Sequence, residues 1–126
     1  MADKAKVLIV DDDPDLVESV KIVLETKYEV ITASDGDEGL KKAREENPDL
    51  IILDVIMPVK DGFSAAEQIK KDEKLSEIPV IMLTSYAERK SETNIPASKG
   101  MMLEAEDYIN KPFKPGDLLK RVEDLL

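Results

Sequence analysis

Five short runs rich in β-branched residues alternate with amphipathic stretches, and this alternation restricts the chain more than any other feature it has. The runs fall at Lys6 to Val10, Glu29 to Ala33, Asp49 to Leu53, Val80 to Thr84 and Asp107 to Ile109. Strands separated by helix-length segments cannot pair as tight hairpins, so the pattern predicts an α/β fold: a parallel sheet with helices on both faces. The first four runs are too apolar to be half-exposed and are expected to be interior strands, or nearly so.

The helices carry their own local signals. Leu16, Val17, Val20, Val23 and Leu24 recur at helical spacing while Glu18, Lys21 and Glu25 take the other side. This helix is expected to begin at Pro14, with Asp13 as its N-cap and proline at the first position, where a missing N–H costs nothing. The last helix is expected from Pro115 to Leu125, with Leu118, Leu119, Val122 and Leu125 as its apolar stripe. Between Ser85 and Glu106, Pro96 and Gly100 interrupt any long helix, which predicts an irregular segment to Ile95 and a short helix from Ala97 to Glu104. The charged run Lys70 to Lys74 reads as solvated helix surface.

A length of 126 residues fits one domain, residues 1–126. With 28 acidic and 18 basic residues the net charge is −10, which repels nucleic acid phosphates and anionic lipid head groups. The chain is therefore expected to bind neither nucleic acid directly nor membrane. Its apolar runs fall far short of the roughly 20 residues of a membrane span, and Met-Ala-Asp-Lys begins no signal peptide, so a cytoplasmic location is expected. Zero cysteines and zero histidines exclude disulfides, thiolate metal sites and imidazole catalysis. Any metal must be held by oxygen.

In an open parallel sheet, ligands bind beyond the carboxyl ends of the strands. Here those ends carry Asp11 and Asp12, Asp54, Thr84 and, just past the fifth run, Lys111. Read singly, each residue has a structural role open to it: a helix cap for Asp11 or Asp12, a turn for Asp54, ordinary surface for Lys111. Read together, they are the groups needed to place a phosphoryl group on a carboxylate. Three carboxylates a few ångströms apart repel one another unless a cation sits between them, and an oxygen-only, partly open site suits Mg²⁺, with Mn²⁺ as the alternative.

Val10-Asp11-Asp12, Asp54 with Met57-Pro58 and Asp61-Gly62, Thr84-Ser85, and Tyr108 with Lys111-Pro112-Phe113 resemble the receiver domain of bacterial two-component response regulators, of the chemotaxis-regulator-like, single-domain kind. The resemblance covers nearly the whole chain. It implies a flavodoxin-like, doubly wound five-stranded sheet of order 2-1-3-4-5, and phosphorelay signalling rather than enzymatic turnover. Asp54 would accept phosphate from a sensor histidine kinase or histidine phosphotransfer protein, or from acetyl phosphate, to control a downstream protein. It also implies that Asp12 and Asp54 bind Mg²⁺ directly, Asp11 through water, and Ile56 through its backbone carbonyl. Lys111 and Thr84 would pair with phosphoryl oxygens, Thr84 and Tyr108 would form the switch, and the Lys111-Pro112 peptide would be cis.

Three features separate this chain from similar domains. The interval from Thr84 to Lys111 is longer than usual, Leu103-Glu104-Ala105 replaces the customary Gly-Ala, and the second residues after the nucleophile and the threonine are Ile56 and Tyr86. The first two suggest a docking surface particular to this chain. Neither Ile56 nor Tyr86 can orient an attacking water, so slow self-hydrolysis is expected. The end of the chain just after its last helix suggests a stand-alone regulator.

Two other readings stay open. One is a receiver-shaped scaffold that is never phosphorylated; the other is a phosphatase of the haloacid dehalogenase type, which needs a second aspartate where Ile56 stands. An EF-hand calcium loop fails at Leu16 and Ile22, where glycine and glutamate are required. A flavin-binding module of this fold would want a neutral hydroxyl and glycine loop after the first strand, where carboxylates repel phosphate.

Overall fold

The computed structural model describes residues 4–54, 62–85, 107–111 and 113–126. Strands β1 (Lys6–Val10), β2 (Glu29–Ala33), β3 (Leu50–Asp54), β4 (Val80–Ser85) and β5 (Asp107–Lys111) form one parallel sheet in the order β2-β1-β3-β4-β5. Helices α1 (Pro14–Leu24), α2 (Gly36–Glu46), α3 (Gly62–Lys71) and α4 (Pro115–Leu125) cover it. The expected sheet order, the expected start of α1 and the expected bounds of α4 agree with this arrangement. Among the described residues, no helix is long and apolar enough to cross a membrane.

Period-two alternation divides the strands between two cores. Leu8, Val10, Ile51, Leu53, Val80 and Met82 face Leu40, Ala43, Ala65 and Ile69 of α2 and α3. Val7, Ile9, Leu50, Ile52, Ile81 and Leu83 face Val20, Leu24, Leu118 and Val122 of α1 and α4. Burial on both faces explains why β1, β3 and the start of β4 are continuously apolar.

β2 corrects the expectation, drawn from its residues alone, that the first four runs are too apolar to be half-exposed. It forms an edge of the sheet, and its Glu29 is exposed while Val30, Ile31 and Thr32 are half-buried. Its β-branched run reflects strand propensity, which an edge strand shares with a central one. β3 also begins one residue later than expected. Asp49 lies outside it and accepts the Lys6 N–H at 2.7 Å through Oδ2, while Asp54 becomes the last strand residue, paired with Leu83. β4 and β5 run on to Ser85 and Lys111. The charged run Lys70 to Lys74 leaves the helix after Lys71, and Lys70 Nζ donates to the Ile78 carbonyl at 3.1 Å. The predicted short helix at Ala97 to Glu104 lies outside the described residues.

Helices α1 and α2 both start from side-chain-capped positions. Asp13 accepts the N–H groups of Asp15 and Leu16 as α1's N-cap, as expected. Asp35 caps α2 by accepting the Glu38 N–H at 2.9 Å, and Glu38 reaches back to accept both the N–H and hydroxyl of Ser34, at 2.7 and 2.9 Å. This is a capping box displaced by one residue. The Ser34 N–H first, and the Ser34 hydroxyl next, hold the Glu38 carboxyl below the usual carboxylate range. A depressed folded-state pKa contributes stability above the unfolded value of about 4.3, and that contribution disappears as pH falls through the folded value. Glu38→Ala should therefore lower the urea midpoint at pH 7 and lose that effect at acid pH, once the wild-type carboxyl is protonated in the folded state too. The neutral-pH loss should stay below about 1 kcal/mol, because the Glu38 side chain is 40% exposed and its interactions are screened. An equal deficit at neutral and acid pH would contradict the assignment.

Candidate functional site

Strand register brings the acidic residues together. Val10 is paired with Leu53, so the next residues along β1 and β3, Asp11 and Asp54, emerge side by side at adjacent strand ends. Both fall on the α1 and α4 side of the sheet by alternation, and both are almost wholly buried, with 2% and 3% exposure. Asp12 follows and is exposed. One carboxylate oxygen from each of Asp11, Asp12 and Asp54 lies within 4.8 Å of the others.

Local hydrogen bonds hold this arrangement. The Asp11 N–H donates to the Ala33 carbonyl at 3.1 Å, tying the β1–α1 loop to the end of β2. Asp11 Oδ1 accepts the Asp13 N–H at 2.9 Å. The sequence placed Asp13 at the helix cap but missed this second role. An aspartate's tendency to accept from the backbone two residues on was the available signal.

A groove of about 410 Å³ opens beside Asp11 and Asp12, toward Pro14, Thr32, Glu38 and Lys42. Lys42 is held by the Thr32 carbonyl at 2.8 Å and lies 3.7 Å from Glu38. The groove gives solvent access to one flank of the acidic cluster.

The remaining expected residues are placed by backbone register alone. Thr84 follows Leu83, the partner of Asp54, and pairs with Asn110; Lys111 pairs with Ser85. Thr84 and Lys111 thus belong to the same carboxyl edge as the acids, one and two strands away from β3. Tyr108 pairs with Met82 deeper in the sheet. The side chains of Thr84, Tyr108 and Lys111 lie outside the described set, as do Ile56, Tyr86 and Pro112, and with them the expected carbonyl ligand, lifetime-tuning residues and cis peptide.

The donor set fits a hard divalent cation. It is all oxygen, two of its three carboxylates are buried, and the nearness of three negative groups disfavours them without a counter-charge. Mg²⁺ takes such a site while keeping waters and bridging to phosphate.

The response regulator receiver domain family matches residues 7–123 of this sequence. The chain belongs to that family. Receiver domains of this kind are modules of two-component phosphorelay signalling. The chain is 41% identical over 122 residues to the alkaline phosphatase synthesis transcriptional regulatory protein PhoP of Bacillus subtilis, covering 96% of this chain and 48% of that protein. It is 38% identical over 122 residues to the DNA-binding dual master transcriptional regulator RpaA of a Synechocystis strain, covering 96% and 48%. The chain spans about half the length of these relatives. Among solved structures, the chemotaxis response regulator CheY4 of Vibrio cholerae superposes with a TM-score of 0.84 at 35% identity, covering 98% of this chain and 99% of that one. The receiver fold expected from the sequence agrees with this match.

Proposed function

We propose that residues 1–126 form one receiver domain that takes a phosphoryl group on Asp54 from a sensor histidine kinase or histidine phosphotransfer protein and then changes conformation to control a downstream protein. The observation that carries this reading is the convergence of Asp11, Asp12 and Asp54 to within 4.8 Å at the carboxyl edge of the sheet. Asp11, Asp12, Asp54 and the Ile56 backbone carbonyl would hold Mg²⁺. Bound there, the ion supplies the positive charge that screens the transferring oxygens.

In the transfer, one Asp54 oxygen forms the new O–P bond. The P–N bond of a phosphohistidine, or the P–O bond linking acetate to phosphate in acetyl phosphate, breaks, and its electron pair leaves with the imidazole or the acetate. Lys111 and Thr84 pair with phosphoryl oxygens at the end of the reaction. New charge and acceptor oxygens favour movement of Thr84 and, through it, of Tyr108. The chain serves as an acceptor and a switch, not as a turnover enzyme. Its net charge of −10 favours a protein target over nucleic acid or anionic membrane. The cytoplasm, where a histidine kinase finds ATP, is its assigned compartment.

Incubation with acetyl phosphate and Mg²⁺, followed by intact mass, tests the reading. One added phosphate is expected with Mg²⁺ and none with excess chelator. An unchanged mass in both would favour a scaffold that is never phosphorylated. Steady release of inorganic phosphate without an added mass would favour the dehalogenase-type phosphatase.

A further inference from the structure

Asp13 belongs to the acidic run at the end of β1 but not to the carboxylate cluster, and its Oδ1 and N–H are already committed. Its Oδ1 accepts the N–H groups of Asp15 at 3.0 Å and Leu16 at 3.3 Å. Its own N–H donates to Asp11 Oδ1 at 2.9 Å. One bond conditions the other, because the cap holds Asp13 at φ −95° and ψ 104° and so sets the direction of its N–H. Asp11 is meanwhile anchored through its own N–H to Ala33.

We propose that Asp13 is a positioning residue for the cation: its cap aims its N–H at Asp11 Oδ1 and so fixes the orientation in which the Asp11 carboxylate faces Mg²⁺. This inference rests on the cation site described under the proposed function. Its physical basis is general. A carboxylate with one oxygen tied by a hydrogen bond loses torsional freedom, and partners of this kind orient metal ligands and strengthen binding. The α1 cap would then serve helix initiation and cation affinity through a single side chain.

Mg²⁺ titration of the full chain by calorimetry, with thermal midpoints measured in parallel, separates this role from simple stability. Asp13→Ala, which removes the cap, should weaken Mg²⁺ binding by about 10-fold. Asp13→Asn keeps an acceptor at the cap and should weaken it by only about 2-fold, the effect of losing one exposed charge. Asp35→Ala removes the corresponding cap of α2 and should lower the thermal midpoint comparably while leaving Mg²⁺ affinity within about 2-fold of wild type. Equal affinity of wild type and Asp13→Ala would overturn the inference alone. An Asp13→Asn loss as large as that of Asp13→Ala would also overturn it, by showing that charge rather than the cap matters. Absence of Mg²⁺ binding in the wild type would overturn the cation reading and this inference with it.

Discussion

Asp54→Asn is expected to leave a folded protein that takes no phosphoryl group from acetyl phosphate. The amide matches the carboxylate in shape and can still accept hydrogen bonds, but its oxygen is a far weaker nucleophile. Incorporation should fall by roughly 10⁴-fold or more, the size of loss seen when an attacking group is removed outright. In practice the added phosphate should vanish from the intact mass. The backbone pairing of residue 54 with Leu83 does not depend on the side chain, and the substitution removes one of three neighbouring negative charges. The thermal midpoint without Mg²⁺ should therefore hold at or above the wild-type value. A phosphate retained by the variant would move the acceptor to another residue. A collapse of the fold would show that the Asp54 carboxylate is itself structural.

Ile52→Ala should produce the largest loss of stability among single truncations at the centre of the sheet. Ile52 stands midway along β3, in register with Ile9 of β1 and Ile81 of β4, and all three are fully buried. On the same side they meet the apolar stripes of α1 and α4. Close packing on every side leaves little room for neighbours to fill the void, so the cost should be about 2–5 kcal/mol. A domain of this kind has only about 5–15 kcal/mol in total. The thermal midpoint should drop by roughly 10–20 °C for a chain of this size. Ile22 provides the contrast: it lies on α1 at 59% exposure, and Ile22→Ala should change stability by less than about 0.5 kcal/mol. Similar losses for the two variants would contradict this division of the core.

Elements with local signals were legible before any contact was known. Pro14 after Asp13 marks the start of α1, and the stripe containing Leu118 and Val122 marks α4, because caps and helical period act over one or two turns. The edge position of β2 was not legible from its residues, because Val30, Ile31 and Thr32 suit an edge strand as well as a central one. Likewise, the inclusion of Asp54 in β3 depends on its pairing with Leu83, a partner distant in sequence.

The site divides along the same line. Residue types alone determined the available chemistry: oxygen ligands only, no imidazole or thiolate, and carboxylates, a threonine and a lysine at apolar strand ends. They also carried the family resemblance, since its motifs are short and ordered along the chain. Tertiary structure decided which of these groups meet. The pairing of Val10 with Leu53 makes Asp11 and Asp54 neighbours, and the cap on α1 turns the third acid away from the cluster to hold Asp11 by its backbone. Period and capping are set by nearby residues, whereas adjacency between strands follows from sheet order and register, which the whole core determines by burying both faces at once.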